Sequence, residues 1–279
     1  MKIYTTVEPV PSRMLALTRL LLATGPILEE DFIPLLQPRE NTGMAEKTLD
    51  AAIECGLVTR EKRRCLIVPG LFPEDLKPNV LDDALPNVLA KLLLTPKLGQ
   101  NTNGFAVLCA WLLHQPIANM PTDRGGLKGA LEGQGLSLAE LQVQSDARWD
   151  NVVYWARYLG LVRQLRDEPC AGLLPDPSDF LRRHLGTLLP AGEEVDVSTF
   201  RQKLGSVCPV LDGGSVRTTL LKSISPEWPE RQLSEALSFA IERLEHAGEL
   251  RAWCPDDQRS FLITPPPSAR KIAYLERKR

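Results

Sequence analysis

The chain holds one dense cluster of charge that could bind an anion. Four basic residues fall within a single stretch of five positions, at Arg60, Lys62, Arg63 and Arg64. Guanidinium and ammonium groups are the usual protein partners of nucleic-acid phosphates. The stretch lies between Leu57-Val58-Thr59 and the apolar Cys65-Leu66-Ile67-Val68, so it is expected to form the turn of a β-hairpin. The pattern predicts contact with a phosphate backbone, and a solvated basic hairpin without any partner stays open as the alternative.

The helix predicted just before this turn has the opposite charge. Its outward positions are Glu46, Lys47, Asp50 and Glu54, so Lys47 is one cation among three carboxylates. Carboxylates repel phosphates, which disfavours base recognition by this helix. Non-specific contact through the turn, with Lys47 beside it, and docking onto a protein are both favoured over recognition of a specific sequence.

A second unusual segment is rich in aromatic residues. Within ten positions lie Trp149, Tyr154, Trp155 and Tyr158. Trp149 belongs to the apolar stripe of an amphipathic helix, so at most Tyr154, Trp155 and Tyr158 can be exposed. Exposed aromatic side chains most often mark a protein interface, and we predict a partner interface at these three residues. Burial in the core and stacking on unpaired bases remain alternatives.

No pattern of catalytic residues is present. The histidines His114, His184 and His246 fall in different segments with no nucleophile motif nearby, and the six cysteines form no CxxC pair. The acidic clusters lack the strand context and neighbouring lysine of a metal-dependent nuclease. The glycine-rich stretch 125–135 around Lys128 matches no phosphate-loop spacing and is expected to be a flexible connector. We therefore expect a protein that is not an enzyme and needs no cofactor and no metal.

One structural plan recurs three times along the chain. In each copy an amphipathic helix ends at a glycine, a short strand follows, and a polar turn leads to a second strand that closes at a proline. The glycines are Gly56, Gly160 and Gly248, and the prolines are Pro69, Pro175 and Pro265. Glycine after the last helical turn supplies the left-handed conformation that ends a helix. A helix that runs into a two-stranded hairpin is typical of the end of a winged helix.

These repeats predict a mainly α-helical fold with small β-hairpins, arranged as tandem winged-helix units. The expected segments are a first winged helix, a helical linker, a second and a third winged helix and a basic tail, at 1–70, 71–102, 103–176, 177–267 and 268–279. The tail ends in Arg277, Lys278 and Arg279.

Composition and charge place the chain in an ordinary class. It has 33 Lys and Arg against 35 Asp and Glu, for a net charge of −2, and 43% of its residues are hydrophobic. These values exclude a largely disordered chain and a fibre. No uncharged apolar run of about 18 residues exists and the N-terminus lacks the features of a secretory signal. The sequence predicts a cytoplasmic protein without membrane contact.

Several phrases of the sequence resemble one protein family. In order along residues 11–214 they are PSRMLALTRLLLATG, AWLLHQP, RWDNVVYWARYLGLV, LLPDP and PVLDGG. These phrases resemble the DpdG proteins of bacterial gene clusters that insert 7-deazaguanine derivatives into DNA. The resemblance implies an accessory protein of a DNA modification and restriction system directed at foreign DNA, and it carries over no catalytic residue.

Two functional hypotheses follow for this chain. The first is a DNA-associated adaptor whose basic turn, helped by Arg251, Arg259 and the tail, contacts double-stranded DNA weakly through its backbone and brings protein subunits of the same system to it. The second is a scaffold that binds only proteins through Tyr154, Trp155 and Tyr158. A winged-helix transcription regulator is a weaker third, because near-neutral charge in every part of the chain argues against it. Self-association into a homodimer is left open.

Overall fold

The computed structural model describes residues 1–37, 43–73, 75–76, 80–96, 103–118, 120–121, 123–165, 172–256, 258–263 and 269–278. The chain forms two compact units. The N-terminal unit contains Met1–Leu93 and Gln142–Leu159, and the C-terminal unit contains Leu94–Leu141 and Gly160–Arg279. Helices dominate both units and the strands form small antiparallel sheets, which confirms the predicted mainly α-helical class.

The helices, in chain order, are α1 (Lys2–Thr5), α2 (Pro11–Thr24), α3 (Glu29–Leu36), α4 (Gly43–Cys55), α5 (Leu81–Leu94), α6 (Gly104–Leu112), α7 (Arg124–Gly133), α8 (Asp146–Tyr158), α9 (Ser178–Leu188), α10 (Val197–Val207), α11 (Ser215–Ile224) and α12 (Glu235–His246). The strands are β1 (Ile27–Leu28), β2 (Val58–Glu61), β3 (Arg64–Ile67), β4 (Val162–Gln164), β5 (Leu173–Pro175), β6 (Glu194–Asp196), β7 (Leu250–Trp253), β8 (Phe261–Ile263), β9 (Arg270–Ile272) and β10 (Tyr274–Arg277).

In the N-terminal unit, helices α2, α3 and α4 pack against a three-stranded antiparallel sheet of order β1-β3-β2. Strands β2 and β3 form a hairpin whose register runs from Val58 opposite Ile67 to Glu61 opposite Arg64. The core contains side chains with no exposed surface, including Met14, Leu17, Phe32, Leu49 and Leu57. Burial of such side chains is the main source of stability for this layer.

The C-terminal unit contains a sheet with the same strand arrangement. Its order is β6-β10-β7, so the last strand lies between the other two, as β3 does in the N-terminal unit. Helices α9, α10 and α12 surround this sheet, and the hairpin β8–β9 is inserted in the chain between β7 and β10. A separate hairpin, β4–β5, precedes α9.

The three predicted glycine joints are present. Gly56, Gly160 and Gly248 have φ values of +90°, +75° and +74°, and a strand begins two residues later in each case. Only glycine enters this left-handed region at no steric cost. These joints fix where α4, α8 and α12 end and where β2, β4 and β7 begin.

One prediction about local structure is wrong. The glycine-rich stretch is a helix, α7, because Asp123 caps its start by accepting a hydrogen bond from the Gly126 N–H at 2.8 Å, and Leu127 and Leu131 are buried. The segment predicted as a basic tail contains two strands, since residues 270–272 and 274–277 form β9 and β10, and Leu275 has no exposed surface. Arg279 lies outside the described residues.

The predicted domain boundaries stay predictions, but the contacts group the chain into two units that divide the predicted linker and the predicted second segment. Helix α8, which falls in the predicted second segment, belongs to the N-terminal unit, where it packs on α1. Of the helices in the described residues, none is both long and apolar enough to cross a membrane.

Candidate nucleic-acid-contacting surface

The basic turn joins β2 to β3 in an uncommon backbone conformation. Lys62 and Arg63 have φ values of +48° and +66°, and Glu61 and Arg64 pair across the hairpin on either side of them. A two-residue hairpin turn with positive φ at both positions is a type I′ turn, for which Asn-Gly is preferred. Holding two residues with side chains there costs about 1 kcal/mol or more for each. This energetic cost falls at the two positions that carry the cations Lys62 and Arg63.

The turn is held in place by the start of α3. The backbone N–H of Glu29 donates a hydrogen bond to the Arg63 carbonyl oxygen at 3.1 Å. The side chains of Lys62, Arg63 and Arg64 are exposed, and within the described part of the chain none of them forms an ion pair. Three adjacent cations without internal partners can therefore all reach an external anion.

Two other predicted contact residues are neutralised inside the unit. Arg60 Nη2 lies 2.7 Å from Glu29 Oε1 and 3.6 Å from Asp50 Oδ1. Lys47 Nζ donates to Glu8 Oε1 at 2.6 Å, and this hydrogen bond lowers the pKa of the Glu8 carboxyl. Surface pairs of this kind contribute about 1 kcal/mol or less. Arg60 and Lys47 would have to exchange a carboxylate for a phosphate in order to bind nucleic acid.

Next to the turn, the outer face of α4 is acidic. A groove of about 710 Å³ between α3 and α4 is lined by four acidic residues, Glu29, Glu30, Glu46 and Asp50, together with Arg63. Phosphates are repelled by such a surface. The turn is therefore the part of this unit that can approach a phosphate backbone without bringing α4 into the major groove.

Of the predicted basic residues of the C-terminal unit, Arg251, Arg259 and Lys278 are exposed and Arg277 is half-buried. The Arg251 guanidinium lies over the ring of Trp253, 4.9 Å from its centroid. Arg259 lines a cleft of about 400 Å³ together with Arg201 and Arg231, and we call this the arginine cleft. Local sequence reasoning missed Arg201 and Arg231, because the three arginines come from separate elements that only the folded chain brings together.

The aromatic residues predicted to form a partner interface are not all at the surface. Tyr154 is 52% exposed, and Tyr158 is half-buried. Trp155 has no exposed surface, because its indole Nε1–H donates to the Pro9 carbonyl oxygen at 2.9 Å and its ring packs edge-on to Tyr158. The expectation that Trp155 contacts a partner is therefore wrong, since the side chain belongs to the core of the N-terminal unit.

Two titratable side chains of the C-terminal unit have strongly shifted pKa values. The His114 ring contacts Trp228 and Ser225, and burial together with the nearby Arg217 lowers its pKa to about 4. Burial raises the pKa of the Cys208 thiol to about 12. No group of three or more His, Cys, Asp and Glu side chains that could hold a metal ion occurs among the residues that the structure describes.

Comparison with known proteins assigns the family. A family model described as DpdG-like matches residues 1–258, so the chain belongs to the DpdG-like family, as its sequence phrases predicted. Membership indicates a role in a Dpd-type DNA modification system made of several proteins. No curated protein and no solved structure matches the chain significantly.

Proposed function

We propose that this protein is a non-enzymatic adaptor of a Dpd-type system, and that it attaches to duplex DNA through backbone phosphates. The cations of the basic turn, Lys62, Arg63 and Arg64, make the contact. Protein subunits of the same system are then brought to the DNA by binding the adaptor elsewhere. Contacts to phosphates fix position but carry no sequence information, so the adaptor has little sequence preference.

The proposal includes a winged-helix fold for the sheet-bearing part of each unit. The N-terminal unit has the order α2-β1-α3-α4-β2-β3, which is the order of a winged helix with the basic turn at the tip of its wing. The C-terminal unit has a similar order, α9-β6-α10-α12-β7-β10, with α11 and the hairpin β8–β9 inserted. Shared strand orders, with the last strand in the centre of each sheet, support this interpretation.

The observation that carries the proposal is the backbone of the basic turn. Asn-Gly would make the same turn at lower energy, yet the chain has Lys62-Arg63. Local strain that persists in a folded protein often accompanies function. Here the strained turn places the cations Lys62 and Arg63 at the exposed tip of the hairpin. The third cation, Arg64, is the next residue and the first of β3.

The expected affinity is weak and depends steeply on salt. Each phosphate neutralised contributes about −0.9 to the slope of log K against log salt for duplex DNA, so three contacts give a slope of about −2.7. Raising salt from about 50 to about 200 mM would then weaken binding roughly 40-fold. Useful affinity therefore requires avidity with a partner that also binds DNA.

The test is duplex binding by fluorescence anisotropy across a salt series, with Lys62→Asn/Arg63→Gly as the key variant. This change installs the preferred turn residues, so the hairpin should fold at least as well while losing two cations. We expect the salt slope to fall by about 1.8. Lys62→Arg/Arg63→Lys keeps both charges and should leave the slope unchanged, and Lys91→Asn removes an exposed cation elsewhere in the unit. An unchanged slope in Lys62→Asn/Arg63→Gly would refute the proposal.

A protein-only scaffold is the second candidate, and the exposed ring of Tyr154 favours it. Tyrosine with half of its surface exposed on a helix is a frequent anchor of interfaces. This hypothesis predicts no duplex binding even at low salt, and partner binding that survives moderate salt but is lost in Tyr154→Ala. Isolation of the complex from the native system, with Tyr154→Ala beside the wild type, separates the two hypotheses.

A further inference from the structure

The arginine cleft of the C-terminal unit has the features of a nucleotide site. It opens between the start of α10, the residues before α12, and strands β8 and β10. Its volume of about 400 Å³ lies within the range of small-molecule sites, which is roughly 300 to 1,000 Å³. Hydroxyl groups of Ser198 and Ser260 and the rings of Phe261 and Tyr274 share its lining with the arginines.

Two of the arginines can bind an external anion. Arg231 and Arg259 are exposed, and within the described residues neither side chain forms an ion pair or a hydrogen bond. The third, Arg201, is fixed, because its Nη1 donates to the Glu230 carbonyl oxygen at 3.0 Å. Planar guanidinium groups in such a setting match the geometry of a phosphate.

The acidic residues of the cleft offset only part of this charge. Asp196 Oδ1 accepts a hydrogen bond from the Thr199 N–H at 2.9 Å, and hydrogen bonds from Thr199 lower the pKa of the Asp196 carboxyl. Its charge is thus directed at the start of α10. Glu230 is the second acidic residue of the lining, so among the described residues three arginines outnumber two acids, and neither Arg231 nor Arg259 forms an ion pair there.

The two aromatic residues that line the cleft, Phe261 and Tyr274, each contact an arginine or another ring. The Arg201 guanidinium lies 4.9 Å from the centroid of the Phe261 ring. The Tyr274 ring stacks on Trp253 with centroids 5.9 Å apart and planes inclined by 27°, and Arg251 lies over Trp253. Rings beside cations form a stacking platform for bases, and stacking is worth about 1–3 kcal/mol per base.

We propose that the arginine cleft binds one unpaired nucleotide of a single-stranded nucleic acid, with its base against the Phe261 and Tyr274 rings and its phosphate held by Arg231 and Arg259. A duplex hides the faces of its bases, so only an unpaired base can use the rings. The proposal adds a second nucleic-acid contact to the adaptor function and does not depend on the basic turn.

The test measures binding of labelled oligodeoxythymidine, oligouridine and a duplex of equal length to the full chain by fluorescence anisotropy. We expect tighter binding of the single strands than of the duplex in the Lys62→Asn/Arg63→Gly background, where two of the three cations of the turn are removed. Arg231→Ala/Arg259→Ala should lose about tenfold or more in single-strand affinity, because two charge-assisted contacts are removed. The matched control, Lys203→Ala/Lys222→Ala, removes two cations of the same unit that do not line the cleft and should change the affinity less than twofold.

A second variant tests the base. Tyr274→Leu keeps an apolar side chain on β10, and its circular dichroism should match that of the wild type. We expect it to lose about fivefold or more in single-strand affinity while competition by inorganic phosphate is unchanged. Comparing oligodeoxythymidine with oligouridine assigns the natural strand to DNA or RNA.

Two results would overturn the nucleotide site. One is equal single-strand affinity in Arg231→Ala/Arg259→Ala and in the lysine control. The other is a single-strand affinity that Tyr274→Leu leaves unaltered, together with equal affinity for the duplex and the single strands. That result would mean that the cleft binds phosphate and does not bind the base. Neither result bears on the duplex contact of the basic turn, whose own failure is the unchanged salt slope.

Discussion

Asp176 joins three elements of the C-terminal unit, and its replacement by asparagine is expected to destabilise that unit strongly. Its side chain has no exposed surface. Its carboxylate accepts hydrogen bonds from the backbone N–H of Ser178, at 2.9 Å, and from the Ser178 hydroxyl, and it forms ion pairs with Arg163, at 2.9 Å from Nε, and with Arg243. β4, the start of α9 and α12 are all tied to this one group.

The magnitude follows from what Asp176→Asn leaves behind. Removing one partner of a buried ion pair typically costs about 3–5 kcal/mol, because the other charge stays buried and unpaired. Arg163 and Arg243 are each 34% exposed, so both can turn partly toward water and recover some solvation. The asparagine oxygen can still accept from Ser178. We therefore expect a loss of about 2–4 kcal/mol in the free energy of unfolding.

The assay is urea unfolding followed by circular dichroism, with Asp179→Asn as the control. Asp179 also pairs with Arg163, at 2.8 Å, but it is 40% exposed, so its loss should cost about 1 kcal/mol or less. Hydrogen exchange at the amides of α9 and α12 localises the effect to the C-terminal unit. Equal costs for the two variants, or a cost below about 1 kcal/mol for Asp176→Asn, would refute the view that burial makes this carboxylate the centre of the network.

Three further outcomes are expected. Trp155→Phe keeps most of the packing but leaves the Pro9 carbonyl oxygen without its donor, so the free energy of unfolding should fall by about 1–3 kcal/mol. Thermal denaturation measures this loss, and an unchanged melting temperature would contradict the buried indole. His114, with its pKa lowered to about 4, is neutral in the folded chain. As pH falls from about 6.5 toward 4, His114 takes up a proton in the unfolded chain but not in the folded chain, so the folded state loses stability over that window. His114→Gln removes this titration, and the midpoint of urea unfolding should then decline less between about pH 6.5 and pH 4. Cys208, with its pKa raised to about 12, should react with a thiol reagent far more slowly than the half-buried Cys254 in mass-spectrometric labelling, and equal rates would contradict its burial.

Features determined by neighbouring residues could be predicted from the sequence. Gly56, Gly160 and Gly248 mark helix ends because the left-handed conformation is a property of the glycine itself. The strand that follows each glycine is set by the same few residues. The error at α7 is instructive, because the signals of a helix were present: a capping Asp123 and apolar side chains at Leu127 and Leu131, four positions apart. The number of glycines outweighed them in the sequence-based interpretation.

Features that depend on distant residues could not be predicted. Whether Trp155 is exposed depends on the chain around Pro9, almost 150 positions away. β10 appeared to be a basic tail because its partners, β6 and β7, are contributed by other parts of the chain, with Leu275 opposite Val195 and Ala252. A short strand has no periodicity of its own that distinguishes it from an unpaired tail.

Under the proposed function, the distribution of charge explains how a protein of net charge −2 would bind nucleic acid. Long-range attraction is weak for such a chain, so binding has to come from local groups that lack internal partners. In the N-terminal unit the carboxylates neutralise Arg60 and Lys47, whereas Lys62, Arg63 and Arg64 pair with no carboxylate of the residues that the structure describes. The acidic surface of α4 then confines any phosphate backbone to the turn. In the proposed function, the carboxylates that lower the net charge therefore also determine which part of the surface DNA can approach. Repulsion of phosphates by these carboxylates is compatible with weak binding that does not depend on the DNA sequence.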